Sequence, residues 1–189
     1  MTLVTERIYN RNEQKDAAMT DAEFAALPQG SPELLDTPLA RTLLASIIPA
    51  RLAYTASDGT PRIVASWFRW TDGEVVMPTF IRAPHVAAPA RRLTALRARP
   101  EVAISIDTES GPAQVLLLRG PAEVTDVDGV DPDYALSAQK YLGDDAARDY
   151  LAMLDQPGTR MARIAVRPTW VGLLDFGGGR LPAVMSPAG

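Results

Sequence analysis

Cysteine is absent from this 189-residue sequence, and histidine occurs only once, as His85. The absence of cysteine excludes disulfides, thiolate chemistry and cysteine-based metal sites. One histidine cannot build a histidine-rich metal site, so we expect no bound metal. No apolar run approaches the roughly 20 residues that a membrane helix needs, and the polar N-terminus lacks the apolar core of a signal peptide. We therefore expect a cytoplasmic protein without a membrane partner.

The charge balance is slightly acidic, with a formal net charge of -4 at pH 7. Domains that bind nucleic acids are usually basic, so we expect no nucleic-acid partner. The length suits one domain with a sizeable core. We place an N-terminal arm with a short helix at residues 1–36, the main domain at 37–176 and a flexible C-terminal tail at 177–189.

Hydrophobic periodicity predicts a fold that is mainly β. Seven segments show the two-residue alternation or the short apolar run that is typical of strands. The predicted strands span residues 51–56, 62–70, 74–79, 102–107, 113–124, 161–167 and 169–174. Most are joined by short turns, so they should pair antiparallel. Six or seven twisted antiparallel strands tend to close, because closure removes exposed edges, and we expect a small barrel.

Helices are predicted on the outside of this sheet. Thr37-Pro38 and Asp131-Pro132 each combine an N-cap residue with proline at the first helical position. Thr20 opens a capping box, and Gly143 separates two consecutive helical segments late in the chain. The predicted helices span residues 20–27, 37–48 and 131–142. An Arg-rich helical segment that Pro100 stops and a late helix that carries Tyr150, Leu151 and Leu154 complete the set.

The segment from Met77 to Asp107 has an unusual concentration of positive charge for an acidic chain. Its five arginines are Arg82, Arg91, Arg92, Arg97 and Arg99. A cationic cluster beside a strand end and a helix start is a favourable place for a phosphate group. The alternative interpretation is an ordinary solvated helix face.

Three sequence patterns occur in an order that resembles a known family. The first is a strand, an Asp-Gly turn and a returning strand, LAYTASDGTPRIVASWF. The second is Thr79 followed by a loop, a basic helix and Arg99-Pro100-Glu101-Val102, and the third is the strand ending LRGPAEV at Val124. Together they resemble the FMN-binding split barrel of the pyridoxamine 5′-phosphate oxidase-like superfamily. The resemblance covers roughly residues 39–174.

This resemblance implies a six- to seven-stranded antiparallel split β-barrel, with flanking helices, that forms a homodimer. It also implies FMN bound between the subunits, although some branches use a deazaflavin or haem or have no known cofactor. The implied phosphate contacts are Arg62, Thr79, Arg91 and Arg92. The other implied cofactor contacts, from strands lining the ring and from late aromatic or amide positions, are Val64, Ser66, Trp67, Pro78, Gln114 and Trp170.

Two features depart from the oxidase pattern. The loop between Thr79 and Arg91 is longer and contains two prolines and His85, which is either a loop residue without a role or part of a lid. The strand that would carry basic substrate contacts has the apolar sequence Val115–Leu118 instead. We therefore do not expect oxidation of pyridoxamine phosphate itself.

The favoured hypothesis is a flavoprotein oxidoreductase that transfers hydride between FMN and a small organic substrate. The absence of a conventional catalytic constellation fits this hypothesis, because a flavin supplies the redox chemistry itself. A reduced nicotinamide is a candidate second substrate. The alternatives are a deazaflavin-dependent reductase and a non-catalytic split barrel that binds a flavin, haem or a lipid-like ligand.

Overall fold

A computed structural model of the chain describes residues 21–185. The first 20 residues of the predicted N-terminal arm, including the capping residue Thr20, and the last four residues of the predicted C-terminal tail lie outside this range. The helices are α1 (Asp21–Ala26), α2 (Pro38–Ala45), α3 (Arg91–Ala98), α4 (Pro132–Leu142) and α5 (Asp144–Leu154), with 3-10 turns at Pro32–Asp36 and Ala183–Met185. The strands are β1 (Ala50–Thr55), β2 (Pro61–Ser66), β3 (Arg69–Thr71), β4 (Glu74–Val76), β5 (Thr79–Arg82), β6 (Glu101–Asp107), β7 (Gln114–Asp128), β8 (Arg160–Val166) and β9 (Trp170–Asp175).

The predicted helix starts at Thr37 and Asp131 are confirmed, because both side chains cap a helix. The Thr37 hydroxyl accepts a hydrogen bond from the Ala40 N–H at 3.2 Å. The Asp131 carboxylate accepts from the N–H groups of Asp133 and Tyr134 at 2.8 and 3.1 Å. Each cap satisfies backbone donors that an uncapped helix leaves free.

The predicted mainly β, antiparallel fold with flanking helices is also confirmed. Between residues 21 and 185 the sheet has nine strands rather than six or seven, and every pairing is antiparallel. The hydrogen-bonded order is β2-β1-β6-β7-β8-β4-β3, with β5 also on β8 and β9 also on β7. Because β2 and β3 at the two ends of this path do not pair with each other, the sheet is not closed.

The two additional strands arise because two of the predicted strands are each divided in two. The alternation of apolar residues along the sequence does not show where these strands break. The predicted strand 62–70 is divided at Trp67 and Phe68, and Phe68 is fully buried. Its two parts, β2 and β3, lie at opposite ends of the sheet order. The predicted strand 74–79 is divided near Pro78, which has no backbone N–H to donate to a neighbouring strand.

The long strand β7 joins the two halves of the sheet at Gly120. Up to Arg119 it pairs with β9, and from Ala122 it pairs with β8. A Cβ atom on Gly120 would lie only 2.4 Å from the carbonyl oxygen of Arg167. The change of partner at Gly120-Pro121 therefore occurs within one continuous strand.

The core fills the space inside the curved sheet. Alternate residues of β6 point inward as predicted, and Ile104 and Ile106 are almost fully buried. Helix α2 contributes Leu43 and Leu44, and helix α3 contributes Leu96. This packing fixes the position of α3 and therefore of its arginines. Among residues 21–185 there is no helix long and apolar enough to cross a membrane.

Candidate functional site

An aromatic groove lies where β2 ends and β5 begins, beside the first turn of α3. Its volume is about 300 Å³, at the lower end of the range for ligand pockets. The residues that line this groove are Ala65, Ser66, Trp67, Pro78, Thr79, Phe80, Arg92, Tyr134 and Tyr150. Five of the predicted site residues are therefore brought together here: Ser66, Trp67, Pro78, Thr79 and Arg92.

Arg92 is the cationic group of the aromatic groove. Its guanidinium donates a hydrogen bond to the Thr79 hydroxyl, and burial lowers the pKa of Arg92, with nearby Tyr54 acting in the opposite direction. The residues that the structure describes offer it no carboxylate within ion-pair distance. A partly desolvated cation without a counter-charge is unfavourable, so an anion bound here would be stabilised.

The start of α3 adds to the positive potential near Arg92. The N-cap residue Ala90 has no side chain that can cap the helix, and the first turn contains no acidic residue. The backbone N–H groups of a first turn carry partial positive charge and attract anions. Arg92 and the helix terminus therefore favour the same kind of ligand.

Four of the nine residues that line the groove are aromatic. Trp67 stacks on Tyr141 with ring centroids 5.3 Å apart and an interplanar angle of 11°. Tyr150 meets Trp67 edge-on at 6.1 Å, and Phe80 meets Tyr134 edge-on at 5.2 Å. Tyr141 supports Trp67 from outside the groove, whereas Trp67, Phe80, Tyr134 and Tyr150 offer apolar surfaces to which a flat aromatic ligand can bind.

Ion pairs hold the helix that carries Tyr134 against the sheet. Asp133 accepts from Arg69 at 2.6 Å and from Arg163 at 3.1 Å. Arg163 also contacts Glu74 at 3.3 Å. Since these contacts join α4 to β3, β4 and β8, they fix the position of the tyrosine next to Asp133.

A second groove, here called the basic groove, lies on the other side of the first turn of α3. Its volume is about 330 Å³, and its residues are Tyr54, Ala56, Ser57, Asp58, Arg62, Arg91 and Ala95. Arg62 is paired with Asp58 at 2.9 Å. Hydrogen bonds from Thr60, together with Arg62, lower the pKa of Asp58. Adjacent helical residues point about 100° apart, which explains why Arg91 and Arg92 line different grooves.

The remaining predicted site residues lie elsewhere. Val64 is half-buried on β2 and packs against the main core. Gln114 is at the start of β7 opposite Asp175. Trp170 lies under the guanidinium of Arg119, 4.0 Å from its ring centroid. The structure does not bring these three residues into either groove.

Phe80, Tyr134 and Tyr150 line the groove but are not among the site residues predicted from the sequence. Phe80 directly follows the predicted strand 74–79 and falls in the predicted loop before Arg91, and the two tyrosines occur in helices whose patterns are typical of ordinary packing. His85 lies beside the groove through an edge-on contact with Phe80 at 5.0 Å. The only sign of these site residues in the sequence was the concentration of tyrosine in α4 and α5. Their place in the groove depends on the sheet topology, which brings these helices to the end of β2.

Comparison with known proteins identifies the fold. No family model and no curated protein sequence matches this chain. An F420 reductase superposes with a TM-score of 0.52 at 24% identity, covering 70% of this chain and 94% of that one. The chain has the pyridoxamine 5′-phosphate oxidase-like split-barrel fold.

Two further structures share this split-barrel fold. A conserved hypothetical protein from Mycobacterium tuberculosis gives a TM-score of 0.55 at 19% identity, covering 92% of this chain and 95% of that one. A provisional pyridoxamine 5′-phosphate oxidase from Listeria innocua gives 0.50 at 16% identity, covering 71% and 94%. At these identities the similarity establishes the fold, and the function has to be argued from the grooves.

Proposed function

We propose that this split barrel is an FMN-binding oxidoreductase that transfers hydride between the flavin and a small organic substrate. The observation that carries the proposal is the partly buried Arg92, which lines an aromatic groove and has no carboxylate partner within residues 21–185. FMN combines a flat ring system with a phosphate, and the groove offers a complementary surface to each. The names of two fold neighbours, an F420 reductase and a provisional oxidase, are those of redox enzymes.

The side chains of the aromatic groove fit the two parts of this cofactor. Arg92 and Thr79 would hold the phosphate, because a guanidinium fork and a hydroxyl can both donate to its oxygens. Trp67 and the end of β2 would lie against the ring. The bound flavin would supply the hydride chemistry, and the protein would position it and exclude water.

A homodimer is part of this proposal. The aromatic groove is open to solvent on one side in a single chain, and a second copy would cover it. Strand β2 is an edge strand that exposes Ile63, whose relative accessibility is 68%. A contact between Trp170 or Gln114 and the cofactor would require this second copy, since neither lines the groove of its own chain.

The experiment compares FMN with riboflavin, which has the same ring but no phosphate. We expect the wild type to bind FMN about 10- to 100-fold more tightly than riboflavin, the usual contribution of hydrogen bonds to a charged group. Arg92→Ala should remove this preference without changing the affinity for riboflavin. Arg92→Lys should restore part of it, because lysine keeps the charge but not the planar fork.

Arg97→Ala is the matched control for Arg92→Ala. Arg97 lies on the same helix, is exposed and pairs with Asp126 outside the aromatic groove. Flavin fluorescence in an equilibrium titration gives the affinity of each of the four proteins for FMN and for riboflavin. If Arg92→Ala keeps its fold and its full preference for FMN, the phosphate does not bind at Arg92 and the proposal is wrong.

A deazaflavin is the second candidate cofactor, and the basic groove favours it. The longer acidic tail of a deazaflavin needs more positive charge than FMN, and Arg91 lines a second groove beside the first. Arg91→Ala should then weaken F420 binding and leave FMN binding unchanged. Oxidation of a reduced nicotinamide by the cofactor-loaded protein would separate an enzyme from a non-catalytic carrier.

A further inference from the structure

Two phenol groups form a hydrogen-bonded pair in the wall of the aromatic groove. The hydroxyl oxygens of Tyr134 and Tyr150 are 2.8 Å apart, and both side chains line the groove. The residues belong to consecutive helices, α4 and α5, that Gly143 separates. The Arg92 contacts proposed above do not use this pair.

One O–H hydrogen of this pair is not used in the hydrogen bond between the two oxygens. Each phenol has a single O–H hydrogen. One of the two hydrogens lies in the bond between the oxygens, whichever residue donates it. Within residues 21–185, neither hydroxyl has another protein acceptor in hydrogen-bond distance. The pair therefore always has one O–H hydrogen left for a partner in the groove.

The surroundings make that remaining donor selective. Tyr134 is 9% exposed and contacts Trp67 and Phe80. A ligand that shields this donor from water without accepting its hydrogen bond binds less tightly than one that accepts it. Burial, followed by the hydrogen bond to Tyr150, raises the pKa of Tyr134, so this phenol keeps its hydrogen through the physiological pH range.

We propose that the Tyr134–Tyr150 pair is a single-donor site that selects flat ligands with a carbonyl oxygen at the ring edge. This inference deepens the proposed function. The carbonyl can belong to the flavin ring or to a quinone-like substrate lying beside it, and the chemistry of recognition is the same.

The proposal makes an unusual prediction about single and double variants. Tyr134→Phe leaves the Tyr150 hydroxyl without a partner among residues 21–185 and therefore able to donate to a ligand, and Tyr150→Phe does the same for Tyr134. Each single variant keeps one donor in the groove, as the wild type does. Only the double variant has none, so the two substitutions should be strongly non-additive.

The probes are 2-methyl-1,4-naphthoquinone and 2-methylnaphthalene, which differ in the two carbonyl groups. Ligand-observed NMR titration of the flavin-free protein measures both affinities, and a parallel titration measures FMN. Tyr141→Phe is the matched control, because its hydroxyl donates to the Ile48 carbonyl at 3.3 Å and is not in the groove wall. Circular dichroism and thermal unfolding verify that every variant is folded.

We expect the double variant to lose about 5- to 30-fold in affinity for a carbonyl ligand, corresponding to the one or two kcal/mol of a hydrogen bond. The single variants and Tyr141→Phe should stay within about twofold of the wild type. A loss confined to FMN assigns the carbonyl to the flavin ring, and a loss confined to the quinone assigns it to the substrate. Both outcomes support the site.

The inference is overturned if the double variant binds FMN and the quinone as well as the wild type does. It is also overturned if the wild type does not prefer the quinone to 2-methylnaphthalene and the double variant keeps its FMN affinity. The quinone arm needs no flavin. A failure of the Arg92 experiment therefore leaves this test intact, and the two proposals can fail separately.

Discussion

The partly buried Lys140 should make the stability of this protein depend on pH in a mildly alkaline range. Its ammonium donates to the Leu44 carbonyl at 3.2 Å and lies 3.9 Å from the centroid of the Phe68 ring. Among the residues that the structure describes it has no carboxylate partner. Burial lowers the pKa of Lys140 from 10.5 to about 8.

The sign of the effect follows from the direction of this pKa shift. Because the folded-state pKa is below the unfolded-state pKa, the charged lysine opposes folding, and this penalty is complete below about pH 8. The penalty decreases as the pH rises toward 10.5, where the unfolded chain also loses its proton. The free energy of unfolding should therefore increase with pH in this window.

The magnitude is about 1 kcal/mol. Each unit of pKa shift corresponds to about 1.4 kcal/mol of penalty on the charged lysine. Only part of this penalty is relieved between about pH 7 and about pH 9.5, and for an unscreened group that part is roughly 2 kcal/mol. Lys140 is only partly buried, so solvent screening reduces this contribution by about half. The remaining effect is large enough for denaturant titration to detect.

The assay is urea unfolding of the wild type and Lys140→Met at about pH 7 and about pH 9.5. Methionine keeps most of the side-chain volume and removes the titrating group. Burial raises the pKa of Tyr141 to about 12, so this phenol stays protonated in the folded protein, and the comparison with Lys140→Met cancels its contribution. The stability of the wild type relative to Lys140→Met should rise by about 1 kcal/mol with pH. A difference that is the same at both pH values would refute the assigned burial of this lysine.

Two other predictions concern the fold. Gly120→Ala should lower the free energy of unfolding by about 3 kcal/mol, because the new Cβ would meet the backbone of Arg167. The control is Gly111→Ala, because a Cβ at Gly111 meets no atom within 4 Å. Equal urea midpoints for the two variants would contradict the prediction. Thr37→Ala should lower it by about 1 kcal/mol through loss of the cap on the Ala40 N–H, whereas Thr37→Ser should restore it. A Thr37→Ala protein with unchanged thermal unfolding would show that the cap contributes nothing.

The helices could be predicted well from the sequence, and the strand boundaries less well. Local signals determine where a helix begins, since Thr37 and Asp131 cap the backbone of the same helix that they precede. The break at Trp67 and Phe68 has no such signal. Alternation continues through it, and only the burial of Phe68 in the core separates β2 from β3.

The candidate site could be predicted only in part for a similar reason. The resemblance placed Thr79 and Arg92 among the phosphate contacts, and the structure joins them by a hydrogen bond. It also grouped Arg62 with them, whereas Arg62 pairs with Asp58 in a different groove. The grouping of side chains around a helix depends on which strands pack beside it, and this information is not local in the sequence.

The positions of Tyr134 and Tyr150 in the groove could not be predicted from the local sequence. Tyr134 and Tyr150 lie far along the chain from Trp67, and their helices have the apolar faces of ordinary packed helices. They reach the groove because β8 returns to pair with β4 and β5, which brings α4 and α5 back to this end of the sheet. A residue becomes part of the site here through strand order rather than through a sequence motif.

The most direct test of the central claim is the visible absorption spectrum of the purified protein after incubation with FMN and removal of free ligand by gel filtration. We predict that wild-type protein elutes with a flavin spectrum and that Arg92→Ala elutes with much less chromophore than Arg97→Ala. A wild-type protein that elutes colourless after incubation with FMN, and again after incubation with F420, would contradict the account.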